Sequence, residues 1–306
     1  MPSGSAVTRD GLLLVDKPTG CTSHDVVQRA RRIVGQRRIG HCGTLDPGAT
    51  GLLVLTMGRA TRLTRFLIEA PKIYEGDILF GTSTNTFDGL GETTAERSIE
   101  ALLADDVLAA MPRFVGTYEQ VAPPFSAKKI GGRKYYELAR RGEEVPEARK
   151  EVTVFSFVAM GPMTEGSLPF RLECSSGTYV RRVAHDLGEA TGFPAHLATL
   201  RRTKVGPFDA AAAVGIDTLA KLETPENGDW WIPFHRIPLP FDERVIDARQ
   251  VRRILHGQSV LVRDLVGQEG DWIKLLDDRQ RFIAVGSINE RIGAAIGIVQ
   301  PRIVFS

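Results

Sequence analysis

A glycine-dense segment from residue 40 to residue 51 constrains the fold of this chain more than any other stretch. It reads Gly-His-Cys-Gly-Thr-Leu-Asp-Pro-Gly-Ala-Thr-Gly, and four of its twelve residues are glycine. Glycine reaches backbone angles closed to other residues, and a residue before proline is pushed away from helix. The segment therefore predicts a stiff turn that holds Asp46 outward. The apolar run Leu52–Leu55 predicts a buried strand that anchors this turn.

An Asp-Pro-Gly corner also has an ordinary structural explanation, which is a solvated turn between two elements. Two features favour a functional turn here: His41 lies five residues before Asp46, and the apolar strand follows. Catalytic groups are often carried by loops that a rigid scaffold positions. Asp46 and His41 are therefore candidate site residues.

The distribution of charge is more informative than its total. The 306 residues are enough for one large domain or two, and they include 39 Lys+Arg against 37 Asp+Glu. A single basic cluster would be a solvated helix face, but five clusters in the first two thirds of the chain favour a polyanion-binding surface. The clusters are residues 29–38, 59–65, 128–141, 181–182 and 201–204.

The cysteines Cys21, Cys42 and Cys174 are too few and too odd in number for a disulfide framework, and they favour a reducing compartment. His24 and His41 lie near the first two cysteines, but these spacings match no zinc finger, so no metal site is expected. No apolar run approaches the roughly 18 residues of a membrane-spanning helix. We expect a soluble, cytoplasmic protein without membrane contact.

Hydrophobic periodicity predicts both helices and strands before residue 208. The first helix is expected to be capped by Ser23 and to expose its arginines. Gly192 is expected to end a later helix. The predicted strands are 11–15, 152–159 and 170–174, and the predicted helices begin at residues 23, 98, 134 and 180.

The last quarter of the chain differs in character. The proline-rich stretch 225–240, which also contains two tryptophans, predicts an ordered linker without regular structure. Beyond it, a short helix over 247–255 and a hairpin formed by 272–276 and 281–285 predict a small β-rich domain.

Six short blocks of sequence follow one another along the chain, and both their residues and their order are informative. They are residues 17–23, 40–47, Tyr74 with 81–88, 123–128, 174–181 and 200–203. Together they resemble the bacterial tRNA pseudouridine synthases of the TruB family, which modify the uridine of the T-arm. The resemblance extends from Gly11 to Phe208 and is weaker beyond. Asn85 and Phe125 depart from it, because the family often has Asp and Tyr at these positions.

The resemblance implies an α+β pseudouridine synthase fold over residues 1–236, with a mixed, mainly antiparallel central sheet and flanking helices. It implies a small C-terminal β-barrel of the PUA type over residues 241–306, which would bind RNA. It also implies an RNA-clamping insertion over residues 123–150. The composition of the insertion agrees, because Tyr135 and Tyr136 beside lysine and arginine can meet bases and phosphates.

The resemblance further implies that Asp46 is the catalytic aspartate and Arg181 its cationic partner. The implied reaction converts the T-loop uridine, position 55 of tRNA by family convention, into pseudouridine by breaking the N-glycosidic bond and rejoining the ribose at C5. This redox-neutral isomerisation needs no metal and no cofactor. An ionised carboxylate can act in it as a nucleophile or as a base, and a nearby cation helps to keep such a carboxylate ionised.

Flipping a base out of a folded loop costs a few kcal/mol, which the pocket must recover. The resemblance implies that Tyr74 stacks on the flipped base, that Tyr179 and Leu200 line the pocket, and that His41 fills or abuts the vacated space. Each has an ordinary alternative: Tyr74 and Leu200 can be core residues, and His41 can be a neutral loop histidine.

Two further candidates have open roles. Lys17 is expected either to fix the loop under the site or to touch phosphate. Asp88 is expected either to contact a base or to form an Asp-Gly turn.

The expected partner is the T-arm stem-loop of tRNA, bound by a monomer. One alternative is a tRNA-binding folding chaperone that does not need catalysis. Another is a carboxylate hydrolase of nucleosides or glycosides, which would require a second acid near Asp46.

Overall fold

The computed structural model describes residues 8–123, 129–130, 133–134, 149–222 and 226–305. The strands are β1 (Gly11–Lys17), β2 (Ile39–His41), β3 (Thr50–Met57), β4 (Lys72–Phe80), β5 (Thr82–Thr84), β6 (Thr93–Glu96), β7 (Gly116–Val121), β8 (Lys129–Ile130), β9 (Arg133–Lys134), β10 (Arg149–Ala159), β11 (Ser167–Cys174), β12 (Ala195–Val205), β13 (Phe208–Asp209), β14 (Val214–Gly215), β15 (Trp231–Pro233), β16 (Glu243–Val245), β17 (Val260–Arg263), β18 (Trp272–Leu276), β19 (Phe282–Ile292) and β20 (Ile296–Val304). The α-helices are α1 (Ser23–Val34), α2 (Thr64–Leu67), α3 (Ala104–Ala110), α4 (Val180–Thr191), α5 (Ile216–Leu219) and α6 (Ala248–Leu255). The 3-10 helices are Gly58–Leu63, Met111–Phe114, Ala210–Ala212 and Phe234–Arg236.

Eleven strands form one large sheet, in the order β14-β1-β3-β12-β4-β11-β10-β7, with β2, β13 and β15 paired beside this path. Among the strand pairs described in this sheet, β1 with β14 and β3 with β12 are parallel, and the others are antiparallel. The mixed, mainly antiparallel sheet of an α+β fold is therefore confirmed. The β3/β12 pairing matters for the site, because it places Gly51 in register with Arg202.

Two hydrophobic layers anchor the glycine-dense turn. Side chains alternate between the two faces of a strand. Leu12 and Leu14 of β1 accordingly lie in one buried cluster with Leu52, while Leu13 and Val15 lie in another cluster on the opposite face. Helix α1 covers the second cluster with the apolar residues that its periodicity predicts. The turn before β3 therefore starts from a strand that is fixed on both sides.

The start of α1 differs from the prediction in an informative way. Its cap is Thr22, whose hydroxyl accepts a hydrogen bond from the Asp25 N–H at 3.1 Å, while Asp25 accepts one from the Thr22 N–H at 2.9 Å. The predicted cap, Ser23, is buried instead. Its hydroxyl donates to the Leu45 carbonyl at 3.1 Å and accepts from the Leu45 N–H at 2.8 Å. Ser23 therefore holds the residue that precedes Asp46.

The other predicted helices agree with the structure to different degrees. Helix α4 ends as predicted, with Gly192 in the left-handed conformation at φ 75°. Helix α3 begins at Ala104, later than the predicted residue 98. The predicted helix from residue 134 and most of the insertion 123–150 lie outside the described residues. Among the helices of the described ranges, none is long and apolar enough to cross a membrane.

The C-terminal part forms a separate five-stranded sheet in the order β16-β18-β19-β20-β17, curled into a half-barrel. The hairpin of β18 and β19 confirms the prediction. The prediction of no regular structure over 225–240 was wrong in part, because β15 pairs with β1 and Phe234–Arg236 forms one 3-10 turn. The stretch is thereby tied to the large sheet.

The C-terminal sheet packs against the large sheet through a shared hydrophobic cluster. Phe282 and Phe305 lie in the same buried cluster as Leu12 and Leu52. The boundary between residues 1–236 and 241–306 therefore separates two sheets that share one core.

Three arginines reinforce this contact. The Arg59 guanidinium lies 4.9 Å from the ring centroid of Phe234, and that of Arg62 lies 5.3 Å from the centroid of Phe305. Arg65 lies 4.6 Å from the centroid of Trp272. The cation–π contacts of Arg62 and Arg65 join the 59–65 cluster to the C-terminal part, whereas Arg59 contacts the 3-10 turn that precedes it. The sequence interpretation of this cluster as part of a polyanion-binding surface was therefore incomplete.

Candidate active site

The turn that carries Asp46 is held by its neighbours at several points. Ser23 fixes Leu45, and the Gly20 N–H donates to the Pro47 carbonyl at 2.9 Å. At the far end, Gly51 has φ 97°, and a Cβ there would lie 2.3 Å from the Arg202 carbonyl oxygen. Only glycine permits so close an approach of β3 to β12 in this conformation. The position of Asp46 is thus set by backbone contacts on both sides.

Asp46 faces an arginine from a different part of the chain. The Nε of Arg181, in the first turn of α4, lies 3.3 Å from Asp46 Oδ2. The Arg181 side chain is 5% exposed and donates from Nη1 to the Thr86 carbonyl at 3.0 Å, whereas the Asp46 side chain is 44% exposed. A buried, fixed guanidinium therefore orients a carboxylate that a substrate can still reach.

A cavity of about 450 Å³ opens beside this pair. Such a volume falls within the roughly 300–1,000 Å³ of small-molecule sites. Its wall brings together the predicted residues Asp46, Tyr74, Tyr179, Arg181 and Leu200. The rest of the wall consists of Gly43, Thr44, Leu45, Ile68, Glu69, Lys72, Lys150, Ser176, Gly177, Thr178, Val180 and Arg202.

The two tyrosines of the wall are held differently. Tyr74 is buried on β4, and burial raises the pKa of its phenol, so it remains neutral. Tyr179 directly precedes α4, and a buried glutamine clamps its backbone. Gln120 accepts from the Tyr179 N–H at 2.8 Å and donates to its carbonyl at 3.1 Å. The cavity therefore has one buried and one partly exposed aromatic side chain.

The structure places Lys17 behind the Asp46 turn, outside the cavity wall. Its side chain is fully buried and donates to the carbonyl oxygens of Cys21 at 2.7 Å, Pro18 at 2.9 Å and Pro47 at 3.4 Å. Burial lowers the pKa of Lys17. Of its two expected roles, this geometry favours fixing the loop.

His41 and Asp88 also lie outside the cavity wall. Burial lowers the pKa of His41, and the positive charge of Arg202 lowers it further, so the imidazole is neutral at pH 7. Asp88 Oδ1 accepts from the Thr86 hydroxyl at 2.7 Å and from the Leu90 N–H at 3.1 Å, as in a side-chain-stabilised turn. Its other oxygen lies 3.9 Å from Arg181 Nη1, so Arg181 has carboxylates on two sides.

Two cavity residues, Lys72 and Arg202, were missed as site candidates from the sequence. Arg202 is 1% exposed and donates to the carbonyl oxygens of Leu52 at 2.8 Å, Gly43 at 3.0 Å and Thr44 at 3.4 Å. The sequence interpretation places Arg202 in the basic cluster 201–204 of a polyanion-binding surface. Its acceptors lie in β3 and the turn before it, far away in the sequence, so no local pattern shows that it is buried.

Comparisons with known proteins identify the family of this chain. Residues 31–180 match the N-terminal domain of the TruB family pseudouridylate synthases, residues 181–244 match the C-terminal domain of tRNA pseudouridylate synthase B, and residues 243–301 match the family "Pseudouridine synthase II TruB, C-terminal". The chain belongs to the TruB family of pseudouridylate synthases.

Individual relatives cover most of the chain. tRNA pseudouridine synthase B of Thermobifida fusca is 41% identical over 259 residues, which is 82% of this chain and 86% of that protein. The protein of the same name from Burkholderia mallei is 38% identical over 92% of this chain and 94% of its own length. A solved Cbf5-Nop10-Gar1 complex contains a chain with a similar fold, with a TM-score of 0.74 at 23% identity over 97% of this chain and 85% of that chain.

Proposed function

We propose that this chain is a tRNA pseudouridine synthase that isomerises the T-loop uridine, position 55 by family convention. The observation that carries the proposal is the Asp46 carboxylate, 3.3 Å from a buried arginine, in the wall of a cavity that also holds two tyrosines. The relatives named tRNA pseudouridine synthase B support tRNA as the substrate.

Asp46 is the catalytic group of this proposal. It acts as a nucleophile or as a base while the bond between N1 and C1′ breaks and a bond between C5 and C1′ forms. The C5 proton leaves and N1 gains a proton, so atoms and electrons balance without any oxidant. Because every step is a bond exchange or a proton transfer, the reaction requires neither a metal nor a cofactor. Arg181 keeps the carboxylate aimed into the cavity.

The cavity wall receives the flipped uracil. Base–aromatic stacking contributes about 1–3 kcal/mol per base, enough to offset the few kcal/mol of unstacking. Tyr74 and Tyr179 supply the aromatic faces and Leu200 an apolar contact. His41, as a neutral imidazole, abuts the space that the base vacates.

The remaining predicted residues support the site. Lys17 positions the Asp46 turn from behind, and Asp88 orients Arg181. We further propose that the PUA-like region 241–306 and the insertion 123–150 grip the RNA away from the chemistry. The enzyme acts as a cytoplasmic monomer.

Tritium release from RNA labelled at C5 of uridine tests the proposal, because the C5 hydrogen is lost when C5 bonds to the ribose. A T-arm stem-loop should release one equivalent at the target. The same stem-loop with cytidine at the target should release none, and neither should free uridine. Free uracil in place of released tritium would identify a hydrolase. Tight binding without tritium release would identify a tRNA chaperone.

A further inference from the structure

Two buried cations lie side by side in the cavity wall. Lys72 is 4% and Arg202 is 1% exposed, and both line the cavity. A Cβ built on Gly43 would meet Arg202 Nη1 at 3.5 Å and Lys72 Cε at 3.8 Å, so both side chains lie against the turn before Asp46. The ammonium of Lys72 donates to the Ile68 carbonyl. This part of the cavity wall is therefore cationic.

Neither cation has a counter-ion in the part of the chain that the structure describes. Across the described ranges, no carboxylate oxygen lies within 4.0 Å of either side chain; both are held by main-chain carbonyls. Buried charges are ordinarily paired, and like charges repel strongly where water is excluded. The Lys72 and Arg202 side chains are therefore stabilised when a negative charge enters the cavity.

The other titratable groups that the structure describes around Lys72 do not supply this negative charge. Burial raises the pKa of the Cys42 and Cys174 thiols to about 12, so both thiols are neutral. Glu69 is exposed and outside ion-pair distance. Burial lowers the pKa of Lys72 itself to about 8, and the charge of Arg202 contributes to the lowering. Among the described residues none of these groups pairs with the two cations, so a substrate that enters the cavity can supply the negative charge.

We propose that Lys72 and Arg202 stabilise the negative charge that develops on the uracil ring as its glycosidic bond breaks. When the N1–C1′ bond breaks, its electron pair passes to the ring and spreads over N1, O2 and O4. When the C5–C1′ bond forms, a ring electron pair is used, the C5 proton leaves and N1 is protonated. The cations gain an anionic partner only between these two events. This proposal rests on the proposed function.

The position of the cations favours the ring over an RNA phosphate. Arg202 and Tyr74 line the same cavity, and the charge of Arg202 opposes the rise that burial causes in the pKa of the Tyr74 phenol. Tyr74 is the buried aromatic residue against which the flipped base would stack. A phosphate is charged before and after the reaction, so cations that bind it would strengthen binding. Ring charge is absent from the bound uridine and develops only as the glycosidic bond breaks, so cations that meet it raise the rate at saturating RNA.

Lys72→Met is the test variant, because it keeps the length of the side chain and removes its charge. Arg202 is unsuitable, since its loss would also release the Asp46 turn. Lys72→Arg keeps a positive charge. Lys274→Met is the matched control, because Lys274 is equally buried but lies in the C-terminal sheet and is paired with Glu243.

We expect Lys72→Met to lower the single-turnover rate at saturating T-arm RNA about 100-fold, as when one charge-stabilising donor is removed. The Kd for RNA should change less than about twofold and Tm should not fall, because an unpaired buried charge is removed. Lys72→Arg should recover much of the rate. Lys274→Met should leave the rate unchanged.

The pH profile gives a readout that does not depend on the folding of the methionine variant. Lys72 is protonated below pH 8 and loses its charge as the pH rises through its pKa of about 8. The kcat/KM of the unmodified chain should therefore fall above that pH, and that of Lys72→Arg should stay level because arginine remains charged.

Three outcomes would overturn the proposal. A weaker Kd with a smaller salt dependence and an unchanged saturated rate would assign Lys72 to a phosphate. An unchanged rate and Kd would leave it a structural role, and identical pH profiles for the unmodified chain and Lys72→Arg would exclude its charge from catalysis. In all three the unmodified chain still forms pseudouridine, whereas failure of the proposed function would abolish product formation altogether.

Discussion

Replacing Phe305 by alanine tests whether the two sheets unfold as one unit. Phe305 is 3% exposed, and its ring centroid lies 4.8 Å from that of Phe234 and 4.9 Å from that of Phe282. Arg62 of the 3-10 helix Gly58–Leu63, which follows β3 of the large sheet, lies over the same ring. The side chain is therefore at the centre of the contact between the large sheet and the C-terminal sheet.

The burial of Phe305 sets the expected loss of stability. Truncating a buried phenylalanine costs about 3–5 kcal/mol, because the lost transfer free energy and the cavity add. An unfolding entropy of about 2.1 cal/mol/K per residue gives roughly 0.6 kcal/mol/K for a chain of this length. A loss of about 4 kcal/mol then lowers Tm by about 6 °C if the whole chain unfolds together.

Calorimetry is the assay, with Phe155→Ala as the control. Phe155 is 52% exposed on β10, so its truncation should change stability by no more than about 0.5 kcal/mol. We expect one transition for the unmodified chain, shifted as a whole in Phe305→Ala. Two transitions, of which only the smaller moves, would refute the shared core and show that the C-terminal sheet unfolds independently.

Three further perturbations have defined outcomes. Gly51→Ala should strongly destabilise the chain in urea, because its Cβ would overlap the Arg202 backbone; a midpoint like that of the unmodified chain would contradict this. Replacing Arg32 and Arg37, both exposed, by alanine should reduce the slope of log K against log salt by about 2 if both contact phosphate, and an unaltered slope would assign them to solvent. A chain ending at Pro240 should be much less stable than the full chain and aggregate more readily, because the shared cluster loses its cover; a fragment with the Tm of the full chain would contradict the shared core.

Local signals predicted much of the fold. The buried strands β1 and β3, the end of α4 at Gly192 and the β18/β19 hairpin follow from periodicity and turn chemistry. The wrong prediction of Ser23 as the helix cap shows where local sequence signals fail. Ser and Thr are both good caps, and the choice of Thr22 depends on Leu45, which lies beside α1 only in the folded chain.

Charge was the harder property to interpret. Arginines 59, 62 and 65 have the spacing of a nucleic-acid-binding segment, but their aromatic partners lie mostly beyond residue 230. Their role could not be predicted without the packing of the two sheets.

The residues of the candidate site were likewise predicted only in part from local sequence. The turn itself identified Asp46, while Arg181, Tyr74 and Tyr179 needed the family resemblance, because they come from separate strands and helices. Lys72 was missed, since the sequence around it does not show that its ammonium is buried and held by a main-chain carbonyl.

The conversion of uridine to pseudouridine by Asp46→Asn tests the central claim most directly. The amide keeps the shape of the side chain but can act neither as the nucleophile nor as the base. Glu69→Gln is the control, because Glu69 is a second carboxylate in the same cavity wall. We predict no product from Asp46→Asn in a single turnover, an RNA affinity within a few fold of the unmodified chain, and a retained rate for Glu69→Gln. A measurable single-turnover rate for Asp46→Asn, above contamination, would contradict the account.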